Sequence, residues 1–158
     1  MDTLTIINSQ NFELVLKLIA ALFLGMSLGV ERAIAGKTAG MRTYGLVTMG
    51  ATLFVVIGVI SSGGYDSATG LSESTRLTAN IISGIGFIGA GLMMVSGSKM
   101  SGVTTAAGIW VSAGIGMAVG YGLYVVAVTV TVLVLFVFTG LWYVENHLKT
   151  LTHTDHEE

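Results

Sequence analysis

Residues 44–60, 79–95, 104–120 and 121–144 pass without one charged side chain. A fifth stretch, 13–30, carries only Glu13 and Lys17. Helices this apolar on every side belong in lipid or in a very large core. A chain of 158 residues cannot supply such a core for five of them. Each stretch is near the length that crosses about 30 Å of hydrocarbon. Only 10% of the residues are charged, against roughly 25% in a soluble domain. The expected fold is therefore an all-α integral membrane protein with five transmembrane helices. They form one domain over residues 1–149, followed by a polar, disordered tail at 150–158.

The loops give the orientation. Arg32, Lys37 and Arg42 lie between the first two stretches, Lys99 between the third and fourth, and Lys149 after the fifth. The alternate side holds Asp2, then Asp66, Glu73 and Arg76. The excess of basic residues marks the cytoplasmic side, which puts the N-terminus outside and the C-terminus in the cytoplasm. An odd number of spans agrees with that. The start lacks a basic n-region and a small-residue cleavage site, so the first stretch reads as a retained helix. Lys17 is expected to snorkel out of the lipid. The segment 61–75, rich in glycine and serine, reads as a mobile outer loop. In the fifth stretch Tyr121 and Tyr124 mark one end and Trp142 and Tyr143 the other, about 30 Å apart on a helix. Its Val- and Thr-rich middle would suggest a strand in water, but an open strand in lipid leaves backbone groups unpaired.

Several functions are excluded or disfavoured. A net charge of −2 argues against nucleic acid. There is no cysteine for a disulfide or a thiolate metal site. No nucleophile–base pair stands out, so neither enzyme chemistry nor a cofactor is expected. The histidines and acids of the tail, His153, Asp155, His156, Glu157 and Glu158, read as solvated rather than as a metal site.

Glycine numbers 22 and proline none. Gly25 and Gly29 are four apart in the first stretch. Thr104, Gly108, Ser112, Gly116 and Gly120 recur every four residues in the fourth, which puts them on one helix face. Such faces bring backbones close together in lipid; lining a pore is the other reading. The third stretch holds Gly84, Gly86, Gly89 and Gly91 in a G-x-G-x-x-G pattern. A dinucleotide fingerprint needs a strand before it and an acid about 20 residues later, and both are missing. These glycines mean either tight packing or a helix broken at mid-membrane, as in transporters.

Polar residues at the span ends complete the candidates. Glu31 and Arg32 close the first stretch, and Arg42 and Thr43 open the second. They are either a topology signal with an interfacial ion pair, or a cluster in which Glu31 pairs with one arginine and another stays available for phosphate or carboxylate. Arg76 and Asn80, one turn apart, are placed to tie the third helix to a neighbour, and Glu73 to pair with Arg76. Thr104 or Thr105 either caps the fourth helix or helps coordinate a cation. Trp110, inside that helix, needs an indole partner in the protein or a polar cavity.

Taken together, Gly29-Val30-Glu31-Arg32, Ala39-Gly40-Met41-Arg42-Thr43, Arg76 through Gly91, and Thr104-Thr105-Ala106-Ala107 with Trp110 resemble the MgtC/SapB family of bacterial inner-membrane proteins. The pattern is G-x-E-R, A-G-[LM]-R-T, R-x-x-A-x-x-x-x-G-x-G-F-x-G-A-G and T-T-A-A-x-x-W, in that order. The chain resembles the short, SapB-like members, which implies that the soluble C-terminal domain of longer members is not expected here. The resemblance implies a multi-pass protein linked to low-magnesium adaptation, membrane energetics and, in pathogens, intracellular survival. The expected role is regulatory or partner-binding. The expected partners are membrane lipid and a second copy (a dimer being favoured), with another membrane protein as a further candidate. The alternative is a small-ion transporter or channel using the glycine-rich third helix and the Glu31, Arg32 and Arg42 cluster. Magnesium itself fits poorly, because Mg²⁺ prefers carboxylate and water oxygens and no acid lies deep in a span. An anion or phosphate group suits the arginines better, and a lipid-headgroup site at the cytoplasmic face is a third reading.

Overall fold

The computed structural model describes residues 3–65, 68–96 and 99–153. It contains α1 (Thr3–Ile34), α2 (Met41–Ser61), α3 (Ala68–Leu92), β1 (Met94–Ser96), β2 (Lys99–Ser101), α4 (Val103–Gly120) and α5 (Tyr124–His153). Five helices form as the apolar stretches predict. Four are long and apolar enough to cross a membrane: Asn11–Ile34, Met41–Ser61, Val103–Gly120 and Tyr124–Leu141. The exception is α3. Its first half carries serines, threonines, Arg76 and Asn80, which dilute the apolar stretch that follows.

Several boundaries differ from the sequence reading. The helix α3 starts at Ala68, well inside the segment expected to be a loop. It runs unbroken through Gly84, Gly86, Gly89 and Gly91, so the broken-helix reading fails. It stops at Leu92 because the chain turns into a short antiparallel hairpin, which pairs Met94 with Ser101 and Val95 with Met100. Apart from this hairpin the described elements are helices, and the fold class is all-helical as expected. At the other end of the chain α5 continues to His153, and residues 154–158 lie outside the described ones.

The helices α2 and α4 form the centre. Both have sides of small residues, and backbone meets backbone there. A Cβ on Gly116 would collide with the Thr48 carbonyl, and one on Gly120 would lie 2.7 Å from Val55 Cβ. The Thr52 hydroxyl donates across this contact to the Gly116 carbonyl at 2.6 Å. On the other flank of α2, Gly25 packs on the Thr48 side chain and the Tyr44 carbonyl, and Gly29 on Met41. The buried hydroxyls Thr48, Ser112 and Thr131 donate to carbonyls of their own helices at 2.8–2.9 Å. Every fully buried side-chain nitrogen or oxygen among the described residues has a partner.

The glycines of α3 behave differently. A Cβ on Gly84, Gly86 or Gly91 would meet nothing within 4 Å, and one on Gly89 would make ordinary contact with Ala106. The first three therefore do not pack helices within this chain, contrary to expectation. Gly86 and Gly91 are exposed, and Gly84 lies open in a groove beside α2 together with exposed Phe87. Trp110 also departs from expectation. It is 52% exposed, on the outer side of α4, not in a polar cavity.

Candidate functional site

The end of α1 places Glu31 and Arg32 beside the first turn of α4. Arg32 is 4% exposed. Its Nη2 donates to Glu31 Oε1 at 2.7 Å, and its Nε donates to the other carboxylate oxygen. This two-pronged pairing uses the planar fork of the guanidinium. The guanidinium carbon also lies 3.8 Å from the centre of the Phe138 ring. An aromatic face attracts such a cation more strongly when water is excluded.

Phe138 of α5 meets Tyr44 of α2 edge to face, with ring centres 6.5 Å apart and planes at 88°. The fully buried Tyr44 donates its hydroxyl to the Thr105 carbonyl of α4 at 3.3 Å. The series Glu31, Arg32, Phe138, Tyr44, Thr105 thus links four helices. Gly108 makes room for it: a Cβ there would strike the Tyr44 hydroxyl and lie 2.6 Å from Phe138 Cζ.

Above this floor opens a cleft of about 870 Å³, lined by Glu31, Arg32, Lys37, Thr104, Thr105 and Tyr143 among others. Two glycines shape its rim. Gly36 is left-handed (φ 65°). The Gly36 and Lys37 amides close the end of α1, donating to the Ala33 and Arg32 carbonyls, as in a Schellman motif. Gly102 is also left-handed (φ 87°) and is the N-cap of α4, without a side-chain cap. Capping by Thr104 or Thr105 is thereby overturned. A Cβ on Gly102 would collide with the Leu92 carbonyl, so no capping serine fits there.

The expected cluster is only partly assembled. Glu31, Arg32, Thr104 and Thr105 share the cleft. Arg42 is exposed, does not line it, and has no ion pair among the described residues. Thr43 is half-buried beside it. Arg76 is exposed on the first half of α3, and Asn80 is exposed in an apolar groove between α2 and α3 that also holds Gly84 and Phe87. The Glu73 side chain lies outside the described residues. Sequence reasoning missed Tyr44 and Phe138, which carry no charge and fall inside apolar runs. Among the described residues no three His, Cys, Asp or Glu side chains gather to hold a metal ion.

A second polar cluster was also missed. Lys17 does not snorkel; it is 4% exposed. Its Nζ lies 3.3 Å from Glu13 Oε1, donates to the Tyr65 hydroxyl at 3.1 Å and sits 4.2 Å from the centre of that ring. The Tyr65 hydroxyl donates in turn to the Gly120 carbonyl at 2.7 Å. Tyr65 therefore latches the α2–α3 connection over a buried cation at the end opposite the cleft. Removing the hydroxyl leaves Lys17 and Gly120 each short of a partner, and an orphaned buried group costs about 1–3 kcal/mol. Tyr65→Phe is expected to speed limited proteolysis after α2 at least several-fold, while cutting at the α1–α2 turn stays unchanged.

The chain matches the MgtC family over residues 18–147. It is 38% identical to an Escherichia coli K12 protein named "Putative magnesium transporter YhiD", over 80% of this chain and 60% of that one. It is 41% identical to the uncharacterized protein slr0014 of Synechocystis, over 78% and 50%. It is 39% identical to protein MgtC of Salmonella typhimurium, over 65% and 41%. The chain thus spans about half the length of the curated relatives it matches. No solved structure matches it.

Proposed function

This chain belongs to the MgtC family, and from that premise we propose that it is a multi-pass protein of the bacterial inner membrane that acts by binding rather than by conducting an ion. Its basic end, with Arg32, Lys37 and Arg42, faces the cytoplasm, as the positive-inside rule requires. Its link to magnesium is regulatory: it serves adaptation to scarce magnesium and the energetics of the membrane, through a partner protein or a second copy.

The observation that carries this reading is the closed interior. Between Lys17 at one end and the Glu31–Arg32 pair at the other, the described helices hold no ionised side chain. The buried hydroxyls on the way are turned onto helix carbonyls. Tyr44, Ile109, Ile115 and Val119 fill the space between. Mg²⁺ keeps its waters and needs carboxylates, and the one carboxylate among the described residues of the cleft is held by Arg32. Transport is the second reading, favoured by the name of the Escherichia coli relative.

Flux separates the two. Purified protein in liposomes is expected to pass Mg²⁺, K⁺ and H⁺ no faster than protein-free vesicles under an imposed gradient. Flux above that background, lowered by Glu31→Gln, would establish transport instead.

A further inference from the structure

We propose that the cleft beside Arg32 binds a phosphate group carried on an apolar chain: the headgroup of an anionic phospholipid of the cytoplasmic leaflet. This goes beyond the choice between binding and conduction and does not depend on it.

The polar floor is built for an anion. Two guanidinium nitrogens of Arg32 are taken by Glu31. The third, Nη1, has no acceptor among the described residues. No fully buried side-chain nitrogen among the described residues lacks a partner, so Nη1 keeps some exposure, and Arg32 is a lining residue of the cleft. Both Glu31 oxygens are engaged by Arg32, which leaves Lys37 as an uncompensated charge among the described lining residues. The first turn of α4 lies on the same wall, through Gly102, Val103, Thr104 and Thr105. Its leading amides have no side-chain cap, and such amides with the positive end of the helix favour a phosphate.

The remaining walls are mostly apolar, with Ser27, Thr139 and Tyr143 among them. Val30, Ile34, Val103 and Leu135 line the cleft, and Ile34 is 83% exposed. A free phosphate would use the floor and leave these walls bare. A phospholipid uses both, with its phosphate on Arg32 and Lys37 and its chains along α1 and α5. The cleft lies at the ends of membrane-crossing helices, where lipid phosphates lie.

The test uses the full chain, delipidated in detergent and examined by native mass spectrometry. It is offered phosphatidylglycerol, diacylglycerol with the same chains, or inorganic phosphate. One phosphatidylglycerol is expected to stay bound per chain, at least tenfold more tightly than diacylglycerol, and to resist inorganic phosphate in large excess. Val103→Trp, which fills the cleft from an exposed position, and Lys37→Gln should each weaken retention at least several-fold. Both leave the Arg32 pair intact, so thermal melting should be unchanged. Inorganic phosphate that displaces the lipid at equal concentration would keep the phosphate site but assign it to a free anion, overturning the lipid as ligand. Equal retention of diacylglycerol, or retention untouched by both substitutions, would overturn the site itself.

Discussion

Gly116→Val is expected to destabilise the bundle by about 3 kcal/mol or more, while Gly84→Val changes stability by less than about 1 kcal/mol. Both positions are glycines in long helices, and hydropathy does not separate them. Their surroundings do. At Gly116 the first side-chain carbon would enter the Thr48 carbonyl and press on Ala51 Cβ at 3.0 Å. No rotamer relieves a clash that begins at Cβ, so α2 and α4 must move apart. That movement breaks the Thr52 hydrogen bond to the Gly116 carbonyl and loosens Gly120 from Val55. At Gly84 the added atoms meet nothing within 4 Å, and replacing glycine in a helix removes a backbone penalty. Reversible unfolding in mixed micelles, read by tryptophan fluorescence, measures both variants. Equal losses would mean that α3 is packed against something as tightly as α4 is.

That contrast shows where the sequence was legible. The four-residue spacing of Gly108, Ser112, Gly116 and Gly120 marked one face of α4, readable as packing or as a pore lining, and the structure packs it against α2. The glycines of α3 are denser and looked more informative. They are spaced by two, three and two residues, so they scatter around the helix and define no single face. Spans of uncharged residues marked α2, α4 and α5, since nothing else accommodates them. They misplaced α3, whose polar first half is helical although no hydropathy signal says so. Lys17 was misjudged for a related reason. A lysine in an apolar run snorkels unless partners hold it, and of its two partners only Glu13 is local; the other, Tyr65, is 48 residues away.

The candidate site was half legible in the same way. Adjacent Glu31 and Arg32 are a local pair and could be read directly. Arg42 looked equivalent by distance along the chain, yet it starts α2 on an exposed side. Phe138 and Tyr44 could be found only through the fold, because their role is to fill the space that Gly108 leaves. An aromatic hydroxyl just inside a span, as in Tyr44, was the one available hint, since such a group needs an acceptor.

The Glu31–Arg32 pair supplies the second large effect. Arg32→Gln is expected to cost about 3–5 kcal/mol, because removing one partner strands a largely buried carboxylate. Glu31→Gln should cost a comparable amount, because a single neutral acceptor oxygen replaces the carboxylate that held two guanidinium nitrogens. The double variant, with neither charge, should recover much of the loss, since two neutral amides of similar shape can pair with one another. The double-mutant cycle then gives a coupling well above the 0.2–1 kcal/mol of an exposed ion pair. Phe138→Leu tests the third member. It keeps an apolar side chain but removes the aromatic face, and a desolvated cation on such a face is worth about 2 kcal/mol. Its effect should largely vanish in the Arg32→Gln background, because the cation it serves is gone. If Arg32→Gln instead costs under about 1 kcal/mol and Phe138→Leu costs the same with or without Arg32, water reaches the pair freely. The charges would then be a topology signal, and the cleft would have no buried floor.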